Sequence, residues 1–209
     1  MVLYVWVVNG RWCRHTAACG KPGNWRAFLL FSQISKMTQK IAIIGPESTG
    51  KTTLARQLAR HYGTLWVPEY ARTYLDQLGR PYEEADLLQI ARGQLALEEE
   101  LLPAAHGFLF CDTHLLVIKI WSEYKYGRCH PWILEHLRLS SYRLHLLTQA
   151  DLPWEFDPQR EHPHEREVLE KLYRQALQNA AVPFAEIKGR GEERLLHAIE
   201  AIESSRHTA

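Results

Sequence analysis

The 209 residues suffice for one domain of ordinary size with its own core, and a hydrophobic fraction of 46% beside 23% charged residues is normal for a folded globular chain. Lys and Arg total 25 against 24 Asp and Glu, a formal charge of +1, which argues against broad nucleic-acid or membrane-surface binding while leaving room for a local basic pocket. The four cysteines, Cys13, Cys19, Cys111 and Cys129, show no C-x-x-C spacing, so a disulfide framework and a zinc site are excluded and a reducing cytoplasm is the expected location.

In chain order, residues 1–36 do not resemble the rest. They hold Trp6, Trp12, Trp25 and two of the four cysteines, and they open on an apolar run over 2–8. That run is far shorter than the ~20 residues a bilayer span needs, and no positive residue precedes it, so it is a poor signal peptide. Met37 stands directly before the first strand and reads as a natural start. Residues 1–36 are therefore expected to lie outside the fold, as a mis-assigned start or a weakly ordered tail, with the domain proper at 37–209.

From Lys40 onward strands and helices alternate, the pattern of an α/β domain with a parallel sheet. The apolar, β-branched run 41–44 reads as a buried strand. The segment Gly45-Pro46-Glu47-Ser48-Thr49-Gly50-Lys51-Thr52 follows, and then a helix over 52–62 with Leu54, Leu58 and His61 on one face. Further strands are expected at 64–67, at 108–111 ending on Asp112, at 142–148 and at 184–187. Helices are expected at 69–78, at 83–102 (ended by Pro103), around 115–124 and 131–139, and at 165–180 and 192–202. Cys111 sits in an apolar run and reads as a small core residue. The cluster His162-Pro163-His164 has no Cys or His companion at metal-ligand spacing and reads as a solvated loop. Five strands with helical crossovers suit a single doubly wound domain that takes its ligands at the carboxyl ends of the strands.

The segment Gly45–Thr52 fits the phosphate-loop pattern G-x-x-x-x-G-K-[ST] at every fixed position, in the strand–loop–helix order the motif needs. Its glycines permit a tight turn in which successive N–H groups point at phosphate oxygens, and the new helix adds its positive end. Gly45, Glu47, Ser48, Thr49, Gly50, Lys51, Thr52 and Thr53 are the expected nucleotide-binding residues. Lys51 would reach the β- and γ-phosphates, and the Thr52 hydroxyl would ligate Mg²⁺. The expected ligand is a nucleoside triphosphate such as ATP.

Other candidates carry two readings each. Asp112, at a strand end, is where a second acidic group for Mg²⁺ belongs, the reading that the phosphate loop favours, and it could also cap the next helix. Glu69 and Arg72, three apart, fall on one helix face at the same rim. They are a general base with a phosphate-holding arginine, or a surface ion pair. The long segment 151–160 with Arg160 and the later Arg166 reads as a mobile lid bringing positive charge over a transferring phosphoryl group, or as an ordinary loop. The stretch 188–191, Lys-Gly-Arg-Gly, packs against a nucleotide base or is a plain turn. The alternatives at the level of function are a small-molecule kinase and a nucleotide-dependent switch or ATPase acting on a protein partner.

Gly-Pro-Glu-Ser-Thr-Gly-Lys-Thr, Pro-Glu-Tyr-Ala-Arg (68–72), Cys-Asp-Thr (111–113) and Asp-Leu-Pro-Trp (151–154), in this order, resemble the ribosylnicotinamide kinase domain of NadR-type proteins, a family filed with the AAA-like phosphate-loop ATPases. The segment 126–131, Tyr-Gly-Arg-Cys-His-Pro, is similar to that family's Gly-x-x-His-Pro element, and the likeness runs from about Thr38 to Ile202. The resemblance implies a nucleoside-kinase-like P-loop NTPase fold with strand order 2-3-1-4-5, helices on both faces and a lid at about 151–166. It implies ATP- and Mg²⁺-dependent phosphorylation of the 5′-hydroxyl of nicotinamide riboside, or of another nucleoside-like substrate. Carried over, Lys51, Glu69, Asp112 and Arg160 are the catalytic set, with Glu69, Arg72, Asp112 and Trp154 on the substrate side and Thr52 and Asp112 on the metal. Related nucleoside kinases use a carboxylate after the second strand as the base, which favours Glu69. One departure is Pro158, where the family's lid pattern Trp-x-x-Asp-Gly-x-Arg has glycine. Proline restricts φ and lacks an N–H, so different lid geometry is expected around Arg160. Residues 1–36 carry no nucleotidyl-transfer motif, so adenylyl transfer and transcriptional regulation are not carried over.

Overall fold

A computed structural model describes residues 38–160 and 164–206, and the backbone of 5–8 and 11–14. The chain divides into two units, Met1–Lys36 and Met37–Ala209. In the first, β1 (Val5–Val8) pairs antiparallel with β2 (Arg11–Arg14), Val5 opposite Arg14 and Val8 opposite Arg11. The Cys13 side chain, Cys19, His162 and Pro163 lie outside the described residues, whereas His164 is exposed as a solvated loop residue should be.

The second unit is built on five parallel strands: β3 (Gln39–Ile44), β4 (Leu65–Val67), β5 (Phe108–Asp112), β6 (Leu144–Thr148) and β7 (Phe184–Ile187). Their spatial order is β4-β5-β3-β6-β7. Counted within this unit, that is the expected 2-3-1-4-5. The central strand β3 is apolar on both faces because both are covered. Ile41 and Ile43 point one way, into a core with Leu54, Leu58, Phe110 and Ile202 from α1 (Lys51–Tyr62), β5 and α7 (Glu192–Arg206). Ala42 and Ile44 point the other way, to Cys111, Leu116, Leu169, Tyr173 and Leu177 from β5, α4 (Leu115–Tyr126) and α6 (Arg166–Asn179). A third cluster knits α2 (Tyr70–Leu78), α3 (Glu84–Leu101), α4 and α5 (Pro131–Leu139) together through Ala71, Leu87, Ile90, Leu115 and Ile133. Among the described residues no helix is long and apolar enough to cross a membrane.

The pattern reading locates every element of this unit within a few residues and errs on details. His61 is exposed; the buried stripe of α1 is Leu54, Ala55, Leu58 and Ala59, with Tyr62 packed on the same core. An imidazole at the last turn gains nothing from burial, whereas the Tyr62 ring packs on Phe108 at 5.2 Å while its hydroxyl reaches Glu203 at 2.8 Å. Strand β6 starts at Leu144 rather than Tyr142, whose hydroxyl instead meets the buried carboxylate of Glu98 at 2.7 and 2.8 Å. Helix α7 runs on to Arg206.

Candidate functional site

Three neighbouring strands end at one place. Strand β3 delivers the loop 45–50, β5 delivers Asp112, and β6 delivers Thr148. The loop is held open for a ligand by its own backbone. Gly45 has φ +142°, and a Cβ there would stand 2.5 Å from the Thr148 hydroxyl and 2.6 Å from its carbonyl oxygen, so only glycine fits. Thr148 also anchors Thr49, oxygen to oxygen at 2.7 Å, and donates to Ile44 O at 3.1 Å. Gly50, at φ +75°, forms the N-cap of α1 without any side-chain cap. The first-turn N–H groups of α1 are therefore available to an anion. Ser48 shares the left-handed conformation at φ 57°, a strained setting for a residue with a Cβ. Lys51 folds back to donate to Pro46 O at 2.8 Å.

Thr52 Oγ1 donates to Asp112 Oδ2 at 2.5 Å, joining the two residues expected to bind metal. Asp112 is fully buried, and its Oδ1 has no hydrogen-bond partner. Burial raises its carboxyl to about 6, and the negative charge of Glu69 adds to the rise; Lys51, the Thr52 hydroxyl and Arg72 pull the other way. The helix-capping alternative for Asp112 is overturned: His114 is the N-cap of α4, its Nδ1 accepting from Leu116 N at 3.3 Å. Among the described residues no three His, Cys, Asp or Glu side chains gather as a metal cluster. A Thr and an Asp with a spare oxygen are a donor set suited to Mg²⁺, which commonly takes one or two protein ligands and completes its shell with phosphate and water.

Glu69 is the N-cap residue of α2, yet its side chain makes no capping bond. Its carboxylate accepts from Thr113 Oγ1 at 3.2 Å and faces Arg72 Nε at 3.4 Å. Glu69 and Arg72 thus pair as the helical spacing predicts, with the Arg72 side chain 41% and the Glu69 side chain 20% exposed. Both line a cavity of about 340 Å³ that is also lined by Gly45 to Leu54. Its lining also includes Ala71 and Leu75 of α2, Val117, Ile120, Trp121 and Tyr124 of α4, and Leu169 and Tyr173 of α6. One cavity thus brings together the phosphate loop, a carboxylate, a guanidinium and a set of apolar and aromatic side chains.

The segment 151–160 closes over the loop. Ser48 Oγ donates to Pro153 O at 3.3 Å and accepts from Glu155 N at 2.9 Å. Arg72 Nη1 meets Asp157 Oδ2 at 2.8 Å, and Gln159 Nε2 donates to Asp76 Oδ1 at 2.6 Å, so the same segment is latched to α2. Pro158 suits this geometry. It is the second residue of a turn closed by Arg160 N donating to Asp157 O at 3.0 Å, a position where a fixed φ is favoured and no N–H is required. Arg160 is held inward, donating to Glu155 O at 2.5 Å with Ser48 Oγ at 3.4 Å, and Arg166 donates to Leu152 O at 2.8 Å. Trp154 does not line the cavity; its ring lies between the two arginines, 5.9 Å from the Arg160 guanidinium and 5.8 Å from that of Arg166.

Arg194 is the residue the pattern missed. It is 4% exposed, and it donates from Nη1 to Thr49 O at 2.7 Å and from Nε to Gly189 O at 2.7 Å, while Nη2 meets the Asp151 carboxylate. One guanidinium therefore ties the phosphate loop, the 188–191 turn and the start of the segment 151–160 together. Gly189 N returns a bond to Asp151 Oδ2 at 2.7 Å, and Gly191 borders the cavity. In sequence, Arg194 sits in a polar first helical turn, where arginines are ordinarily solvated.

The strand order, the glycine loop and the carboxylate beside it define a phosphate-loop NTPase fold. The family model of the AAA domain matches residues 40–194, and the chain belongs to that family. It is 26% identical over 171 residues to the trifunctional NAD biosynthesis/regulator protein NadR of Salmonella typhimurium, covering 78% of this chain and 41% of that protein. NadR of Escherichia coli is 25% identical over the same shares. The chain thus spans about two fifths of the length of the curated relatives it matches. Among solved structures, NadR protein in complex with NR superimposes with a TM-score of 0.69 at 20% identity, covering 88% of this chain and 60% of that one. Thymidylate kinase of Candida albicans gives 0.60 at 14%, covering 81% and 93%. These structural likenesses concern the fold.

Proposed function

We propose that this chain is an ATP-dependent small-molecule kinase that phosphorylates nicotinamide riboside to nicotinamide mononucleotide in NAD biosynthesis. The observation that carries the proposal is that one cavity is lined by the phosphate loop, by Glu69 and Arg72, and by apolar side chains of α2, α4 and α6. A nucleoside hydroxyl held in that cavity would meet the transferring phosphoryl group at the loop. The relationship to NadR supports the choice of acceptor.

In this reading the loop N–H groups and Lys51 hold the triphosphate, and Lys51 exchanges its bond to Pro46 O for one to phosphate. Thr52 and Asp112 would hold Mg²⁺, which supplies charge neutralisation on the phosphates when bound. Glu69 lines the cavity, whereas Asp112 is buried behind it on Thr52. This division favours Glu69 as the base that accepts the hydroxyl proton and leaves Asp112 to the metal. Arg160, which lines the cavity, and Arg166, whose Nη1 lies 3.5 Å from Ser48 O, stabilise negative charge on the transferring group and exclude water that would compete with the acceptor.

The test is purified protein with MgATP and a panel of ribosides and deoxyribosides, read by product mass. A monophosphate formed from nicotinamide riboside in preference to the other nucleosides is expected. ATP hydrolysis independent of any nucleoside, with no phosphorylated product, would overturn the kinase reading in favour of an ATPase or switch. Glu69→Gln should lower kcat by about 10²–10⁴-fold with nucleotide affinity retained, and near-normal turnover would remove Glu69 from the role of base.

A further inference from the structure

Helix α3 contributes no residue to the cavity lining, yet one of its side chains bonds the neighbour of Glu69 in the chain and the residue that donates to the Glu69 carboxylate. Gln94 falls on the buried stripe of α3 with Leu87, Ile90 and Ala91 and is 1% exposed, a place where an apolar residue would ordinarily sit. Both ends of its amide are used. Oε1 accepts from Tyr70 N at 2.9 Å, and Nε2 donates to Thr113 O at 3.3 Å.

Tyr70 N is the first N–H of α2, one of the donors that a helix leaves unpaired at its start. The N-cap residue normally turns its side chain back to satisfy the first turn, and the N-cap residue here is Glu69. Gln94 holds that first N–H, next to Glu69 in the chain, from another helix, while the Glu69 carboxylate makes no capping bond and turns towards Thr113 Oγ1 and Arg72.

Thr113 is the second half of the device. It is a β-branched residue at φ +76°, a conformation that such residues rarely adopt, and it is 2% exposed. Each of its polar groups has a partner: N donates to Ile43 O at 3.0 Å, O accepts from Gln94, and Oγ1 donates to Glu69 Oε1 at 3.2 Å. The strained backbone aims the hydroxyl at the carboxylate. Next to Gln94, Gly93 lies in the helix interior, where a Cβ would stand 2.1 to 2.4 Å from the Tyr70 ring. The helix forgoes a side chain so that Tyr70 can seat against it, which holds the Glu69–Tyr70 junction from a second direction.

We propose that Gln94 and Thr113 are positioning residues for the reaction: Gln94 ties the first N–H of α2 to the Thr113 carbonyl, and Thr113 fixes the Glu69 carboxylate at the cavity. This rests on the reading of Glu69 as the base. A misplacement of a base by about 1 Å costs about 10²-fold in rate, so the device matters to kcat out of proportion to its size.

The experiment compares Thr113→Val, Thr113→Ser, Thr113→Gly and Glu69→Gln in steady-state kinetics with nicotinamide riboside and MgATP, alongside thermal unfolding. Thr113→Val should lower kcat by about 10- to 100-fold with the KM for ATP unchanged, and Thr113→Ser, which keeps the hydroxyl, should restore most of it. Thr113→Gly is the decisive variant. It relieves the left-handed strain, so its unfolding temperature should hold or rise while kcat falls as in Thr113→Val. A purely structural Thr113 would let kcat follow stability, leaving Thr113→Gly active, and that result overturns the proposal. Gln94→Glu keeps the acceptor for Tyr70 N and should retain more activity than Gln94→Ala, which leaves that N–H unpaired; equal activity in the two removes Gln94 from the device. A near-normal Glu69→Gln sinks the base assignment beneath it. An inactive Glu69→Gln with a fully active Thr113→Val sinks the positioning alone.

Discussion

Asp112 is the group whose replacement should move stability and function in opposite directions. Its carboxyl is buried at the end of β5 and raised from an ordinary 3.8 to about 6, chiefly by burial and then by the facing charge of Glu69. Between these values the folded protein binds more protons at this site than the unfolded chain does. Stability contributed by this group therefore falls as pH rises through the interval and levels off above about 6. A gap of about two units at about 1.4 kcal/mol each makes the ionised carboxylate cost about 3 kcal/mol at neutral pH. Asp112→Asn keeps the shape and an oxygen for the Thr52 hydroxyl while removing the charge. In urea unfolding without nucleotide or divalent cation, the variant should match the native protein near pH ~4 and exceed it by up to about 3 kcal/mol near pH ~7. For a domain of this size that is about 6–12 °C in Tm. Taking the difference between the two proteins at each pH cancels every other titrating group that the substitution leaves alone. In the second arm, MgATP should stabilise the native protein more than the variant, because the spare oxygen of Asp112 is then occupied to advantage. A variant-to-native difference that stays flat across the pH range would refute the reasoning about burial, and equal Mg²⁺-dependent stabilisation of both proteins would refute the metal assignment.

Two further substitutions test the frame around the loop. Gly45→Ala places a methyl 2.5 Å from Thr148 Oγ1 at a backbone angle that disfavours side chains, so it should cost about 2–4 kcal/mol and weaken nucleotide binding; an unchanged Tm and affinity would show that the loop gives way freely. Arg194→Lys cannot reproduce three bonds from one planar fork, so it should raise the KM for ATP and lower Tm nearly as much as Arg194→Ala, while full rescue by lysine would show that charge alone suffices.

The sequence was most legible where a function demands fixed residues at fixed local spacing. The phosphate loop is one continuous turn between a strand and a helix, so Gly45, Gly50, Lys51 and Thr52 declare themselves without any tertiary information. The strand order accompanied the family resemblance, and the alternation of elements already required a parallel sheet. Glu69 and Arg72 could be paired by helical spacing, but whether they faced water or a cavity depended on α4 and α6, which are contributed from later in the chain. The Thr148 hydroxyl, Arg194 and Gln94 were not legible at all. Each is an ordinary residue in its own element and acquires a role only from a partner 99, 145 or 24 positions away.

By itself, then, the amino-acid order determined a parallel α/β domain with a triphosphate loop, because local backbone geometry and hydrophobic period are properties of adjacent residues. Only the tertiary structure decided that Asp112 bonds Thr52 rather than capping a helix, that Glu69 lines the cavity, and that Trp154 lies beside Arg160 and Arg166 instead of in the cavity wall. The physical reason is that burial, hydrogen-bond competition and charge proximity are set by which segments meet across the sheet, and hydrophobic period carries no information about that meeting.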